Sequence, residues 1–408
     1  MSEKRVDAKP RWLHELDEGI DAVPGVESAG IGCGIKAEGL DLALFRCEKP
    51  SVAAGTFSTN KFRAAAVRVT EARVKRGSAQ AIIANSGNAN CCTGERGLQD
   101  ALAMAKRTAE KLGLPEEEVL VCSTGKIGIH MPMPQVLAGI DRLAGSLGKN
   151  GNQAAEAILT TDTRKKTVAV RFDCQGRPIT IAGVAKGAGM ICPNMATMLS
   201  FLFTDACVEQ DFLSAALRKA VAVSFNSITV EGDTSTNDTV LLLANALAGN
   251  AQSDKKFQRA FAQALKYVCV RLAKMIAADG EGTTKFVEVT VRGAATAAAA
   301  KQAARTVANS VLVKTALFGQ QANWGRVAAA LGRSGVEGYD PASVSIGLNG
   351  HVVMAGGAPC EVDKAALEES MKNRDITIEI DLGAGSRTWQ VWTSDLSYEY
   401  IRSNIEIS

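Results

Sequence analysis

The chain lacks the features that mark membrane and secreted proteins. Its 408 residues contain no apolar run approaching the roughly 18 residues of a membrane-spanning helix. The first residues, MSEKRVDAKPRW, carry charges and a proline where a secretory signal has an apolar core. We therefore expect a cytoplasmic protein with no membrane partner.

Metal-binding residues are few or scattered. The chain has three histidines, and its ten cysteines include no C-x-x-C pair. Scattered thiols in a large chain, with Cys91 directly before Cys92, are typical of reduced cysteines rather than of a disulfide framework. We predict neither structural disulfides nor a bound metal.

Aromatic residues and excess charge are also scarce. Aromatics make up 5% of the chain, the formal net charge is +3, and no long basic run is interleaved with aromatics. This composition argues against a nucleic-acid partner and favours a small one. With 46% hydrophobic residues the chain can bury a large core.

Turn signals predict two β-hairpins. Residues 165–172 and 178–185 read as strands on either side of a turn that contains Gly176. Residues 343–354 fold about Asn349-Gly350, which is a strong hairpin signal. Both segments indicate antiparallel sheet.

Helical periodicity occurs in other parts of the chain. Apolar residues at helical spacing run over 98–112 and stop at Gly113, and a second run covers 257–275. The alanine-rich stretch 294–316 is interpreted as a helix leading into a packed segment. Hairpins combined with amphipathic helices predict an α+β layered fold.

The segment from residue 186 to 201, KGAGMICPNMATMLSF, combines a loop with a buried strand. Glycines and Pro193-Asn194 punctuate its first part, and MLSFLF from Met198 reads as a buried strand. If the bond between Ala196 and Thr197 breaks, the Thr197 hydroxyl can be activated by its own new α-amine. An ordinary glycine-rich loop before a core strand would show the same local pattern.

This segment resembles the self-cleavage signature of the ArgJ family, ornithine acetyltransferases that carry glutamate N-acetyltransferase activity. Further blocks resembling the family occur in order along almost the whole chain. They are ANSGNAN at 84–90, CTG at 92–94, STG at 123–125, TTDT at 160–163, FNSITVEGDTSTNDT at 225–239, DGEGTTK at 279–285, SVLVKTALFG at 310–319 and NWGR at 323–326.

The resemblance implies a fold and an assembly. It implies helices that sandwich β-sheets in an N-terminal-nucleophile-like arrangement, and self-cleavage between Ala196 and Thr197. Residues 1–196 would form an α chain and residues 197–408 a β chain that begins with the nucleophile. We expect the two chains to remain one folded body, and the resemblance implies a heterotetramer with two copies of each.

The resemblance also implies a reaction. Thr197 would take the acetyl group of N2-acetyl-L-ornithine and pass it to L-glutamate by a ping-pong mechanism in the cyclic route of arginine biosynthesis. Acetyl-CoA is a further candidate acetyl donor, although the sequence shows no separate coenzyme A fingerprint. No bound cofactor is expected.

Site residues are carried over position by position. Thr124 and Gly125 would form the oxyanion hole. Read alone, the same Ser-Thr-Gly block is a tight turn, and an isolated lysine or glutamate is a solvated charge. The substrate contacts implied by the resemblance are Thr163, Lys186, Thr197, Glu281, Asn404 and Ser408.

Some positions depart from the family pattern. Lys126 stands where the family commonly has an apolar residue, and Gln321 where an acidic residue precedes the NWGR block. The tail SNIEIS is one residue short, which makes the assignment of Ser408 provisional. Fine substrate preference is therefore open.

The same residues allow other interpretations. Cys192 could be a thiol nucleophile, but without an identifiable histidine partner a packing role is favoured. GDTSTND at 232–238 could offer oxygen ligands to a metal, but a hydroxyl-rich turn in the active-site wall is favoured, and KGAG lacks the order of a phosphate loop. A self-processing peptidase or amidase and a catalytically silent binding protein remain as rival functions.

Overall fold

A computed structural model describes residues 9–174, 176–191, 198–252 and 254–406. The described residues divide into two compact units. The first unit consists of the described residues within Met1–Gly187, Asn194–Asn226 and Asp233–Ile276. The second unit consists of the described residues within Ala188–Pro193, Ser227–Gly232 and Ala277–Ser408.

The first unit is built on a sheet of nine described strands flanked by helices. Its strands are β1 (His14–Leu16), β2 (Val26–Ile31), β3 (Leu42–Phe57), β4 (Ser78–Asn85), β5 (Val119–Ser123), β6 (Lys166–Cys174), β7 (Arg177–Lys186), β8 (Leu199–Thr204) and β9 (Thr239–Ala244). Its helices are α1 (Ala65–Val74), α2 (Gly94–Leu112), α3 (Met133–Ala144), α4 (Gly151–Ala157), α5 (Gln210–Ala222) and nearly all of α6 (Lys255–Ala277).

Strand order in this sheet differs from chain order. The strands lie in the order β1-β6-β7-β8-β9-β3-β4-β5, and β2 also pairs with β3. The β4–β5 and β8–β9 pairs are parallel and the other pairs are antiparallel. The ends of β5 and β7, strands far apart in the chain, carry several of the predicted site residues.

Both faces of this sheet are covered in its middle. Successive side chains of a strand point to opposite faces, and those of β3 join different cores. Leu42 and Leu44 pack with α1, α2 and α3, whereas Ala43 and Phe45 pack with α4. This continuous burial explains why β8 and β9 are apolar along nearly their whole length rather than alternating.

The second unit has a smaller sheet, in the order β13-β12-β11-β14-β10-β15. Its core joins the sheet to α7, where Val289 and Ile378 pack with Ala304 and Val307. The elements are β10 (Phe286–Ala294), α7 (Ala297–Ala308), α8 (Val311–Phe318), α9 (Trp324–Gly332), β11 (Ser345–Leu348), β12 (His351–Ala355), β13 (Ala358–Pro359), α10 (Lys364–Ser370), β14 (Asp375–Asp381), β15 (Arg387–Ser394) and α11 (Tyr398–Glu406).

The local predictions agree with these elements. Strands β6 and β7 pair as a hairpin, as do β11 and β12, whose turn residues Asn349 and Gly350 have φ of +48° and +83°. Helix α2 ends at Gly113, which adopts the left-handed conformation with φ +66°. The predicted α+β class, with helices layered on sheets, is confirmed.

The alanine-rich stretch begins with helix α7 and leads into a packed segment, as predicted. Its packed segment is a second helix, α8, and not a continuation of α7. The break falls at Asn309-Ser310, because the Ser310 hydroxyl accepts a hydrogen bond from the Val313 backbone N–H and so caps the start of α8.

Candidate active site

The predicted site residues fall into three sets. Ala196 and Thr197, the proposed cleavage pair, lie outside the described residues, as do Cys192 and Ser408. The first unit carries Thr124, Gly125, Thr163 and Lys186, and the second carries Glu281 and Asn404.

The turn after β5 requires a glycine at position 125. Gly125 has φ +134°, a conformation that side chains rarely adopt. A Cβ there would lie 2.2 Å from the Gly87 carbonyl carbon and 2.4 Å from the Asn88 backbone nitrogen. The STG turn therefore packs directly against the backbone of the ANSGNAN block, which a tight turn by itself would not need.

Backbone hydrogen bonds hold the two blocks together. The Thr124 N–H donates to the Asn85 carbonyl at 3.0 Å, and the Ala89 N–H donates to the Lys126 carbonyl at 2.9 Å. The Asn85 side-chain amide in turn donates to the Asn88 carbonyl at 2.8 Å. The position of Thr124 is thus set by the end of β4 and by the loop that follows it.

Two donors in this turn have no acceptor among the described residues. They are the hydroxyl of Thr124, which is 3% exposed, and the backbone N–H of Gly125. A buried hydroxyl without an acceptor, such as that of Thr124, is uncommon in folded proteins, whereas Gly125 is exposed and its N–H faces solvent. Adjacent donors of this kind are the arrangement that stabilises a developing oxyanion.

Lys186, the last residue of β7, points its ammonium at the same turn. The side chain is 2% exposed, and Nζ donates to the Thr160 hydroxyl at 2.7 Å and to the Thr124 hydroxyl oxygen at 3.5 Å. It also lies 3.8 Å from the Asp162 carboxylate. The alternative of a surface lysine is wrong.

The Asp162 carboxylate is the centre of a buried ion-pair cluster. It accepts hydrogen bonds from Lys166 Nζ and from the Gly187 backbone N–H, both at 2.6 Å. Burial alone would raise the pKa of Asp162, but the ammoniums of Lys186 and Lys166 lower it to about 2. The carboxylate is therefore ionised at neutral pH.

The described residues just after the proposed cleavage pair are anchored on two sides. The Met198 N–H donates to the Asp238 carboxylate at 3.0 Å, and Leu199 pairs with Lys186 in the β7–β8 register. The Asn237 side-chain amide donates to the carbonyls of Ala89 and Ser123, both at 2.7 Å. The GDTSTND block is thus a loop that braces the STG turn.

The second unit brings Glu281 and Asn404 together. The Asn404 side-chain amide donates to the Glu281 carboxylate at 2.9 Å. A Cβ on Gly189 would lie 2.4 Å from the same carboxylate, so the chain passes close to it there. Glu281 is half-buried and Asn404 is exposed, which leaves this pair open to solvent.

Sequence reasoning missed some residues that the structure places in the site. Asp162 lies inside the TTDT block and Asp238 inside GDTSTND, but the family resemblance implies no role for either. The signal available was a carboxylate within a motif whose other residues had been assigned. Thr163, an expected substrate contact, directly follows Asp162 and is exposed, as are Lys126 and Gln321.

The described residues also include most of the thiols and all the candidate metal ligands found within the described ranges. The nine cysteines that the structure describes are all free thiols, and burial raises the pKa of Cys91. The described ranges contain no group of three side chains suited to a metal ion. Nor do they contain a helix long and apolar enough to cross a membrane.

Comparison with known proteins places these residues in a family. A sequence profile of the ArgJ family matches residues 27–407. The "arginine biosynthesis bifunctional protein ArgJ" of Symbiobacterium thermophilum is 48% identical over 395 residues, covering 95% of this chain and 98% of that protein. Its counterpart in Geobacter sulfurreducens is 46% identical over 389 residues, with coverages of 94% and 99%.

Among solved structures, ornithine acetyltransferase complexed with ornithine from Mycobacterium tuberculosis is 38% identical, with a TM-score of 0.42. The alignment covers 44% of this chain and 98% of the chain in that structure. Because the profile spans nearly the whole sequence, and because both curated relatives align along nearly their full length, the chain belongs to the ArgJ family of arginine-biosynthesis acyltransferases.

Proposed function

We propose that the chain transfers the acetyl group of N2-acetyl-L-ornithine to L-glutamate through an acetyl-Thr197 intermediate. One observation carries this proposal. The Thr124 hydroxyl, which has no acceptor among the described residues, lies 3.5 Å from the ammonium of buried Lys186, and Lys186 pairs in register with Leu199. Leu199 is two residues after the proposed nucleophile in the chain.

Maturation is proposed to use the same oxygen as catalysis. The Thr197 hydroxyl attacks the Ala196 carbonyl, the C–N bond breaks, and the acyl group moves from nitrogen to oxygen as an ester. Water then hydrolyses the ester, which frees the hydroxyl and leaves a new α-amine on Thr197. That amine becomes the general base for the next reaction.

Acetyl transfer follows in two half-reactions. The α-amine of Thr197 takes the hydroxyl proton as the oxygen attacks the acetyl carbonyl. The tetrahedral intermediate then expels ornithine, whose departing nitrogen receives that proton. Glutamate attacks the acetyl ester and leaves as N-acetylglutamate. Each step places negative charge on the carbonyl oxygen, where loss of one donor typically costs about 3 to 4 kcal/mol.

Substrate recognition is proposed to use opposite charges. Lys186 binds the α-carboxylate and Glu281 binds an amino group, with Thr163, Asn404 and Ser408 as further contacts. The hydrogen bond from Asn404 to the Glu281 carboxylate supports a role of Asn404 in orienting that group. Acetyl-CoA as a second acetyl donor belongs to the same proposal, with no bound cofactor.

The two fragments are proposed to stay associated after cleavage. Strands β7 and β8, on opposite sides of the proposed cut, pair antiparallel from Ile181–Thr204 to Lys186–Leu199. Residues 1–196 and 197–408 would therefore share one sheet, which cleavage of a loop bond leaves intact. We further propose assembly of two such pairs into a heterotetramer, in a cytoplasmic biosynthetic enzyme.

The proposal is tested by the intact mass of the purified wild-type protein and of Thr197→Ala. We expect two fragments, 1–196 and 197–408, in the wild type and one uncut chain in the variant. N-acetylornithine should then add about 42 Da to the C-terminal fragment, and glutamate should remove it. An uncut wild type would refute the proposal.

The same experiment separates the rival functions. Cleavage and acetylation followed by release of acetate, with no acceleration by glutamate, would indicate a hydrolase. Binding of N-acetylornithine to a cut protein without any mass increase would indicate a silent binding protein. Only release of the acetyl group as N-acetylglutamate supports the transferase function.

A further inference from the structure

We propose that Asp162 is a positioning residue for both self-cleavage and acetyl transfer, an inference that rests on the proposed function. No role was assigned to this residue from the sequence. Its side chain is fully buried, and it contacts three segments of the first unit: its own loop, the start of β6 and the end of β7.

The first effect of Asp162 is on Lys186. The carboxylate holds the ammonium from one side at 3.8 Å, while the Thr160 hydroxyl accepts its hydrogen bond from another. The same ammonium reaches the Thr124 hydroxyl oxygen at 3.5 Å. Asp162 thereby fixes the distance between the buried cation and the oxyanion turn.

The consequence for Thr124 follows from the chemistry of a hydroxyl. A hydroxyl has one proton and two lone pairs, and an ammonium can only donate. When Lys186 donates to the oxygen, it occupies a lone pair and directs the Thr124 proton away from itself. That proton is then available for the carbonyl oxygen of Ala196 during cleavage and of the acetyl group during transfer.

The second effect of Asp162 is on the backbone that enters the cleavage segment. Its carboxylate accepts the Gly187 N–H at 2.6 Å, at a residue with φ +154° that directly follows β7. This bond fixes where the chain leaves the sheet on the N-terminal side. Met198 is fixed in the same way on the C-terminal side by Asp238.

A neutral amide cannot replace this carboxylate. One oxygen accepts from Lys166 and Gly187, and the other accepts from the Thr160 N–H at 3.1 Å and faces Lys186. Asparagine has one acceptor oxygen, and its NH₂ would point at donors in either orientation. Asp162→Asn should therefore release Lys186 or Gly187 although its shape is unchanged.

Self-cleavage gives the sharpest test, because it involves no substrate carboxylate for Lys186 to bind. The full-length chain is made by cell-free synthesis, and the decay of the uncut form is followed for wild type, Asp162→Asn, Lys186→Met and the double variant. Asp162→Asn should slow cleavage by about 10- to 100-fold. In the Lys186→Met background it should slow cleavage less, because the part of its effect that acts through the Lys186 ammonium is already lost.

A matched control is available in the same unit. Asp205 is also a buried carboxylate that accepts a backbone N–H, from Thr180 at 2.8 Å, but it is not part of this cluster. Asp205→Asn should cut at the wild-type rate. After cleavage, kcat measured per cut chain should fall for Asp162→Asn and not for Asp205→Asn.

Two results would overturn the positioning role. The first is a cleavage rate of Asp162→Asn that lies within about threefold of the wild-type rate. The second is a double variant whose rate reduction equals the product of the reductions in Asp162→Asn and Lys186→Met. If Asp162→Asn is insoluble, Asp162→Glu takes its place, because it keeps the charge but displaces it by one methylene. A cleavage rate of Asp162→Glu within about threefold of the wild-type rate would then contradict the positioning role. A wild type that does not cut refutes the proposed function instead.

Discussion

The two groups of site residues differ in how firmly they are held. In the first unit, Asp162 and Lys186 are almost fully buried and connect separate segments of the chain. In the second unit, Glu281 is half-buried and Asn404 is exposed on the C-terminal helix. We call these the buried group and the Glu281 pair.

This difference agrees with the roles proposed for them. Groups that stabilise a transition state act best when they are preorganised and shielded from water. Groups that only recognise a substrate tolerate a looser setting, because their energy is the same in the ground and transition states. Changes in the buried group should therefore affect kcat and cleavage, and changes in the Glu281 pair should affect KM.

The largest expected effect comes from Gly125→Ala. The added Cβ would overlap the backbone of Gly87 and Asn88, so the oxyanion turn must move. We expect self-cleavage and kcat to fall by at least about 100-fold, as for loss of an oxyanion donor. Gel analysis of cleavage and steady-state assays measure the two rates.

Gly128→Ala is the control for this change. Gly128 also has positive φ, +81°, but nothing lies within 4 Å of its added Cβ. It should cost only the backbone strain of about 1 kcal/mol in stability and leave cleavage rapid. Equal damage from both substitutions would mean that the turn is sensitive to any alanine, and not that Gly125 is a site residue.

A smaller effect, confined to KM, is expected in the Glu281 pair. Glu281→Gln should raise the KM for N-acetylornithine by about 10-fold or more, because a charged hydrogen bond is lost. Asn404→Ala should raise it by only about threefold, since Asn404 orients Glu281 from an exposed position. Arg402→Ala, which removes a surface ion pair with Glu399 on the same helix, should leave KM unchanged. A fall in kcat for Asn404→Ala with constant KM would contradict the distinction.

The smallest expected effect is on stability and concerns Asp205. Burial raises the pKa of Asp205 to about 6, in contrast to that of Asp162, because Asp205 lacks paired lysines. The protonated Asp205 side chain contributes fully to folding stability below its pKa in the unfolded chain, near 3.8. This contribution is lost as the pH rises through its pKa in the folded protein, about 6. Asp205→Asn should therefore be more stable than wild type at about pH 8, by roughly 1 to 2 kcal/mol, and equal to it at about pH 4. Thermal melts at the two pH values measure this, and a difference that is the same at both would show that the pKa of Asp205 does not change on folding.

Local structure was well predicted because its signals are local. The Asn349-Gly350 hairpin depends on two residues that tolerate positive φ, and the end of α2 depends on one glycine. The buried strand β8 was recognisable from its run of apolar residues. The prediction left the structure of the segment after α7 unspecified, because a single serine cap within an alanine-rich stretch is a weak signal for a second helix.

The site was predicted only in part. The motif blocks identified Thr124, Gly125 and Lys186, which the structure places at one turn. They gave no role to Asp162, because its buried ion pairs and hydrogen bonds join it to residues 4, 24 and 25 positions further along the chain. Such contacts are created by strand pairing and not by any local pattern.

The sequence by itself determined the family, the class of fold and the positions of the hairpins and main helices. These features depend on motif order, hydrophobic periodicity and turn residues, all of which can be recognised from residues close together in the chain. Only the tertiary structure decided that β5 and β7 deliver Thr124 and Lys186 to the same place, and that Gly125 must approach the backbone of Gly87. Strand order and burial arise from long-range packing, and the buried Asp162 cluster exists only once those strands are assembled.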